Sequence, residues 1–429
     1  NFNLVDESLF KPVKCYGNKI YVYNGTNKGR EEIYGKKYYL EVQKRIPEFE
    51  FIFSNKMNKT YEEMPEIYKE CFIGLRLTKH DGNANTVQEM KSMNIPVVHN
   101  GDDDNSLSWN NTDDIELRIR YRNIELFNKY IKKFNKILFI CSDYPNYGGA
   151  ATNTTKMIDF YEKMGKKVFG VFHSKDVDIN YETDKDNIDV ISNRDLFNYL
   201  SNLEFKPDLI ILRNYVTFDI KKLYKCSIYF LIPGIFGPKL SSNYNELSDQ
   251  ELKKYINRNI INTIRYSDKS YCASAHTRDL LLRLYKFKIN ILYFNYIPYY
   301  GKFIEKDKNF DKRKYDYGII VSDFDRKIKN TEYFINRLKN TKFKVILIGN
   351  NSSKYDIYEN FSVFDNIGHD NILYCPEIFH YMKKIKIILQ NSFYESCSNV
   401  YVESRFNGCL IKKNIDNSNN LLDKPDINF

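Results

Sequence analysis

Short apolar runs alternate with amphipathic stretches along almost the whole chain. The runs are Ile20–Tyr23, Phe51–Phe53, Ile73–Leu77, Ile137–Cys141, Val168–Phe172, Leu209–Leu212, Ile228–Ile232, Ile319–Val321, Val345–Ile348 and Ile385–Leu389. Between them, helical spacing predicts helices such as Glu32–Arg45, Asn153–Met164 and Asp249–Arg265. Runs of this length that are apolar throughout predict strands buried on both faces, hence α/β folding with parallel sheets covered by helices.

Two interruptions divide the pattern. Ile115–Phe134 has helical spacing and many charges, and reads as a connecting helix. Near Tyr299–Tyr315, Pro298, Gly301 and the charged run Glu305–Lys314 mark a second boundary. The expected organisation is a domain over 1–115, a connecting helix over 116–134, and further domains over 135–300 and 301–429.

The first and last blocks repeat one another. Phe51-Ile52-Phe53-Ser54-Asn55 parallels Ile346-Leu347-Ile348-Gly349-Asn350, and Pro65-Glu66-Ile67-Tyr68 parallels Pro376-Glu377-Ile378-Phe379. After the next strand come Asp81, Asn85 and Glu89 in one copy and Glu395, Asn399 and Glu403 in the other, equally spaced. Asn94-Ile95-Pro96-Val97-Val98 then matches Gly408-Cys409-Leu410-Ile411.

That spacing can carry chemistry. Asn85 and Asn399 suit helix N-caps, with helices running on through Met90 or Arg405. Glu89 and Glu403 then lie one turn inside. Parallel sheets bind ligands at the carboxyl ends of their strands. Free amides at a helix start receive a diphosphate, and a carboxylate one turn in can accept both ribose hydroxyls. No metal is needed.

Composition changes the picture little. The chain has 429 residues, 42% hydrophobic and 28% charged, enough for more than one core. Its net charge of +10 suits an anionic ligand, but the basic residues are scattered without a nucleic-acid-binding arm. Cys15, Cys71, Cys141, Cys226, Cys272, Cys375, Cys397 and Cys409 form no C-x-x-C pair, so reduced, buried thiols are expected. With no signal peptide and no apolar run of membrane-spanning length, a soluble cytoplasmic protein is expected, with at most peripheral membrane contact.

Glu395–Glu403, preceded by Ile385–Leu389 and followed by Asn407–Ile411, resembles the Glu-(seven)-Glu region of retaining glycosyltransferases of family 4. Lys136–Cys141 leading into Asn146-Tyr147-Gly148-Gly149-Ala150 resembles that family's first strand and glycine-rich loop. Ser270–Arg278 and Tyr293–Pro298 resemble its last N-terminal-domain strand and the approach to its linker. The likeness spans 135–429 and implies a GT-B architecture of twin Rossmann-like domains, preceded here by one additional Rossmann-like domain. It implies sugar transfer from a nucleotide sugar such as a UDP- or GDP-sugar to a glycan, protein or lipid acceptor, with retention and without cofactor or metal.

The same likeness implies the roles. Glu403 binds the donor ribose and Glu395 lies beside the donor sugar. Ser398 and Asn399 offer groups to the diphosphate, and Gly148 and Gly149 lie against acceptor and donor. Asp323 occupies the position where the family has an Arg, leaving Arg326 and Lys329 to neutralise the leaving diphosphate. The family's His after a middle strand is missing from Ile232–Pro238. His173 and Gly234 are the acceptor-side candidates there. In the first block, Asp81, Asn85 and Glu89 form the second copy, with Lys28 and Arg30 available to a diphosphate. That copy is active, shared or a relic. The start at Asn1 and the short stretch after Ile411 lead to the expectation of a trimmed chain. The alternatives are a non-catalytic nucleotide-sugar-binding or scaffold module and a sugar-nucleotide epimerase. A dehydrogenase is disfavoured because no G-x-G-x-x-G follows a strand, and nucleic acid is not an expected partner.

Overall fold

The computed structural model describes residues 5–13, 16–25, 29–78, 84–101, 105–145, 148–175, 185–236, 240, 244–304, 307, 309–365, 376–393 and 398–413. It contains three sheets. The first comprises β1 (Lys19–Val22), β2 (Glu50–Phe53), β3 (Cys71–Leu75), β4 (Val97–Val98) and β5 (Ser106–Leu107), in the order β2-β1-β3-β4-β5 with every pairing parallel. Around it run α1 (Lys36–Arg45), α2 (Met64–Lys69), α3 (Asn85–Ser92) and α4 (Thr112–Ile131).

The second sheet contains β6 (Lys136–Ser142), β7 (Lys167–Ser174), β8 (Ile188–Ser192), β9 (Leu209–Arg213), β10 (Ser227–Ile232), β11 (Lys269–Cys272) and β12 (Asn290–Ile291). Their order is β12-β11-β10-β9-β6-β7-β8, and β6 to β11 pair in parallel. Its helices are α5 (Gly148–Lys163), α6 (Leu196–Asn202), α7 (Asp249–Tyr255), α8 (Arg258–Tyr266) and α9 (Ala275–Tyr285).

The third sheet contains β13 (Tyr315–Asp323), β14 (Val345–Asn350), β15 (Phe361–Phe364), β16 (Ile385–Gln390) and β17 (Leu410–Lys413). It has the parallel order β15-β14-β13-β16-β17 and carries α10 (Glu332–Leu338), α11 (Pro376–Met382) and α12 (Asn399–Phe406). The molecule is thus α/β, with Rossmann-like parallel sheets. β3 and β9 are buried along their whole length, as strands covered on both faces must be.

The repeated sequence blocks show the same order of elements. β1-α1-β2-α2-β3-α3-β4 corresponds to β13-α10-β14-α11-β16-α12-β17, with β15 inserted in the latter. Strand order reverses between β6 and β9 in the second sheet and between β13 and β16 in the third. The crevices at those two switch points are where α/β sheets take ligands.

The chain divides into two compact units rather than along the three sequence blocks. One comprises 1–133 with 291–304, and the other 134–290 with 305–429, holding the second and third sheets. The helix expected as a connector is therefore an integral part of the first unit. Ile115, Leu117, Ile119, Ile124, Phe127 and Ile131 of α4 are buried, and so are Glu116, Arg120 and Arg122. The charges that suggested an exposed connector are matched internally. Arg120 donates to Glu116 at 2.8 Å, and its guanidinium stacks 4.0 Å from the Tyr293 ring centroid. The Tyr121 hydroxyl donates to the carbonyls of Tyr299 and Lys302, each at 2.6 Å, tying the 291–304 segment to α4.

Two helix expectations change as well. Asp249–Arg265 is broken into α7 and α8 because Ile256 is extended and the side chain of Asn257 caps a new start, accepting from the Asn259 amide at 2.9 Å. The first helix begins only at Lys36, after Gly35 turns the chain with φ 73°.

Candidate functional site

In the second unit, α5 follows β6 and α12 follows β16, so both helices start beside a switch point. Ser398, not Asn399, is the N-cap of α12. Its hydroxyl accepts from the Tyr401 amide at 3.3 Å and from the Gln390 side-chain amide at 2.9 Å. Asn399 is freed to reach across, and its side-chain amide donates to the carbonyl of Gly149. Gly148 and Gly149 open α5. A Cβ on Gly149 would lie 3.3 Å from the Asn399 amide nitrogen, so the small residue permits the approach of the two helix starts.

Glu403 lies one turn inside α12 and is only 8% exposed. Its carboxylate accepts from the Lys156 ammonium of α5 at 2.6 Å. That ammonium also sits 4.9 Å from the centroid of the Phe379 ring on α11. Lys156 and Gln390 went unmarked in the sequence. Their partners are far away along the chain, and no local spacing announces them.

At the end of β13, Asp323 accepts from the Asp325 amide at 2.8 Å and from Asn351 at 2.9 Å. The residue in the expected Arg position thus builds a turn. Arg326 is anchored by donation to the Ser322 hydroxyl at 2.9 Å. Lys329 closes a helical turn over Lys327–Lys329, and the Ile328 carbonyl in that turn accepts from Phe393 at 2.9 Å. Arg326 and Lys329 are therefore joined to the segment that leads toward Glu395. Glu395 itself lies outside the described residues, as do Asp81 and Lys28.

At the end of β6, Asp143 has a left-handed backbone (φ 76°) and donates its N–H to the His173 carbonyl at 2.8 Å. Burial pushes its carboxyl above the usual carboxylate range, and the Arg326 guanidinium opposes that rise. His173 is buried. Its Nδ1 lies 2.6 Å from the Asn193 carboxamide oxygen, while its Nε2 has no hydrogen-bond partner among the described residues. Burial lowers its pKa, so the ring is neutral at pH 7. Phe172 pairs with Cys141, whose thiol takes a hydrogen bond from Thr154 of α5. His173, next along the strand, faces the other side of the sheet. Gly234 follows β10, half-buried and without a left-handed backbone.

The first unit uses the same positions differently. Ala84 is the N-cap position of α3 and gives no side-chain cap, and Asn85 is the first helical residue. Glu89 is buried and accepts from the Tyr68 hydroxyl at 2.7 Å, and burial raises its pKa. Arg76 lies 4.1 Å from the Tyr23 ring centroid and donates to Thr86 at 3.4 Å. Arg30 is exposed.

Elsewhere in the second unit, a groove of about 1240 Å³ is lined by Lys136, Lys167, Phe169, Tyr199 and Phe205. Lys136 and Lys167 begin their strands, so this groove opens at the opposite edge of the sheet from the α5 start. Among the described residues no group of three or more His, Cys, Asp and Glu is placed to hold a metal ion. No described helix is long and apolar enough to cross a membrane. Cys71, Cys141, Cys272 and Cys409 are buried free thiols, and Cys226 is a half-buried one.

No family model and no curated protein matches the chain. Solved structures with a similar course include a UDP-GlcNAc 2-epimerase from Methanocaldococcus jannaschii (12% identity, 66% of this chain and 85% of that one, TM-score 0.39). Another is an alpha-glucosyltransferase in complex with UDP-glucose and DNA containing an abasic site (12%, 65% and 79%, TM-score 0.38). A third is a glycosyltransferase from Rickettsia africae ESF-5 (14%, 65% and 78%, TM-score 0.40).

Proposed function

We propose that the second unit is a GT-B glycosyltransferase that draws its sugar from a nucleoside-diphosphate donor, a UDP- or GDP-sugar, and passes it to a glycan, protein or lipid acceptor. The observation that carries this reading is the meeting of two helix starts, α5 and α12, at the switch points of two parallel sheets, with a buried carboxylate one turn inside. Amides at the start of α12 take the diphosphate, aided by the helix dipole. Glu403 takes the ribose hydroxyls in exchange for Lys156, whose ammonium then stays beside the phosphates. Arg326 and Lys329 stabilise charge on the departing diphosphate, the task a divalent cation would otherwise perform. Glu395 lies along the donor sugar.

The first unit is proposed to be a duplicated donor half that no longer binds donor. Its Glu89 is engaged by Tyr68 inside the core, whereas Glu403 is held by a lysine that a ligand can displace.

Thermal shift and calorimetry with UDP, GDP and their sugars test this directly. Glu403→Gln keeps the shape but removes a charge-assisted contact, and nucleotide affinity should fall about tenfold or more. Unchanged affinity in that variant would sink the ribose role of Glu403. Absence of binding by every nucleotide would sink the reading as a whole.

A further inference from the structure

The first and third sheets offer the same carboxylate to different partners, and a residue beneath the helix accounts for the difference. Burial does not separate the two groups, since Glu89 is 7% exposed and Glu403 8%. Each is the fifth residue of its helix, α3 or α12, and both helices begin at an Asn. The strand registers correspond as well. β3 meets β4 at Gly74–Val97 and Leu75–Val98, and β16 meets β17 at Ile388–Ile411 and Leu389–Lys412, with the same spacing along the chain.

The same correspondence sets Tyr68 against Met382. Tyr68 precedes Glu89 by 21 residues, and Met382 precedes Glu403 by the same 21. Counted from the strands, Tyr68 therefore corresponds to Met382 and not to Phe379 one turn earlier. Both are fully enclosed near the end of the helix that leads into the strand.

These two side chains differ in one capacity. The Tyr68 hydroxyl donates to Glu89 at 2.7 Å from within its own core, where Tyr21 braces the ring edge-on at 5.0 Å. A thioether has no proton to donate. The Met382 sulfur lies 3.9 Å from the Asn407 carboxamide, which also donates to the Glu403 carbonyl at 2.8 Å, so Met382 sits under the same turn of α12. Gly318 stands in the place of Tyr21, and a Cβ there would come 2.8 Å from Ile385. Glu403 takes its donor from α5 of another sheet, the Lys156 ammonium. An ammonium on a flexible stem can yield to a ligand. A phenol fixed in the core beneath the helix cannot.

We propose that residue 382 decides whether the α12 carboxylate can serve a nucleotide. Met382, bringing no donor, leaves Glu403 available to the 2′- and 3′-hydroxyls of a ribose. The inference rests on the donor site proposed above and makes that site selective for ribonucleoside over 2′-deoxyribonucleoside diphosphates. Tyr68 marks the opposite state, in which the core consumes the carboxylate.

The test uses the whole chain and whichever of UDP and GDP gives the larger thermal shift, beside its 2′-deoxy counterpart. Wild type should bind the ribonucleotide about tenfold more tightly than the deoxy form. Met382→Tyr adds a ring with the hydroxyl, and Met382→Phe adds the ring without it. By calorimetry, ribonucleotide affinity should be about tenfold lower in Met382→Tyr than in Met382→Phe, and its preference over the deoxy form should shrink to about twofold or less. A merely structural role would weaken both variants together and leave the preference intact. Met382→Gln and Met382→Leu repeat the comparison near the native volume, should the core refuse a ring. Equal affinities within each pair, or a wild type indifferent to the 2′-hydroxyl, would overturn the role of residue 382 and leave nucleotide binding standing. A wild type that binds neither UDP nor GDP refutes the parent reading, and this one with it.

Discussion

Glu89 and Glu403 occupy the same place in two like sheets, yet their partners give them different chemistry. Glu403 faces an ammonium and Glu89 faces a phenol. Burial holds the Glu89 pKa above its ordinary value of about 4.3, so the folded state prefers the protonated form. That preference stabilises the fold fully below the ordinary value and is lost as pH rises through the elevated one. Glu89→Gln can still accept from Tyr68 and carries no charge. It should be the more stable protein at pH values above the ordinary carboxylate range, with a flatter dependence on pH from there upward. Hydrogen-exchange protection of α3 across that range would measure it, and a steeper dependence in the variant would contradict it. The sequence marked both glutamates through the repeat but could not tell them apart. Tyr68 was visible only as the end of the matched stretch Pro65–Tyr68, and Lys156 is 247 residues from Glu403. Ser398 and Asn399 are equally good N-caps, so spacing alone could not choose between them.

At the scale of elements, the candidate site depends on how closely α5 and α12 start to one another. Gly149 sets that distance. Gly149→Val should push Asn399 aside and weaken nucleotide binding about tenfold, as expected when a positioning contact is lost, while the melting temperature moves little. Calorimetry beside a thermal melt separates the two effects, and full affinity in the variant would show that the contact is incidental. Elements of this kind were the most legible part of the sequence. β6, β9 and β14 are apolar along almost their whole length and leave no alternative to a buried strand. β4 and β5 have only two residues each, below what any period can reveal. The α7–α8 break escaped notice because Ile256 and Ile260 continue the apolar spacing across it, whereas a single Asn side chain starts the new helix.

At the scale of the molecule, the first unit is held together by a buried ionic and aromatic network. Glu116 takes Arg120 at 2.8 Å, Arg45 approaches it at 3.4 Å, and the Tyr293 hydroxyl donates to Glu48. Arg120→Met removes one cation and leaves the buried Glu116 to Arg45 alone, so the loss should lie below the about 3–5 kcal/mol of a buried charge left with no partner. Denaturant unfolding of the whole chain should show it in the transition of the first unit, and a loss below about 1 kcal/mol would mean the network is dispensable. None of this was legible along the chain. α4 looked like a connector because its charges were counted without their partners, and Tyr293–Pro298 looked like the approach to a linker. The unit that those segments complete is assembled from two stretches of chain. During synthesis its last strap leaves the ribosome about 170 residues after Lys133, which at about 5–20 residues per second is a delay of roughly 10–30 s. For that interval Arg120 lacks the rings it stacks on and Glu48 lacks its phenol. The N-terminal unit, although begun first, is completed only after the whole of 134–290 has been made.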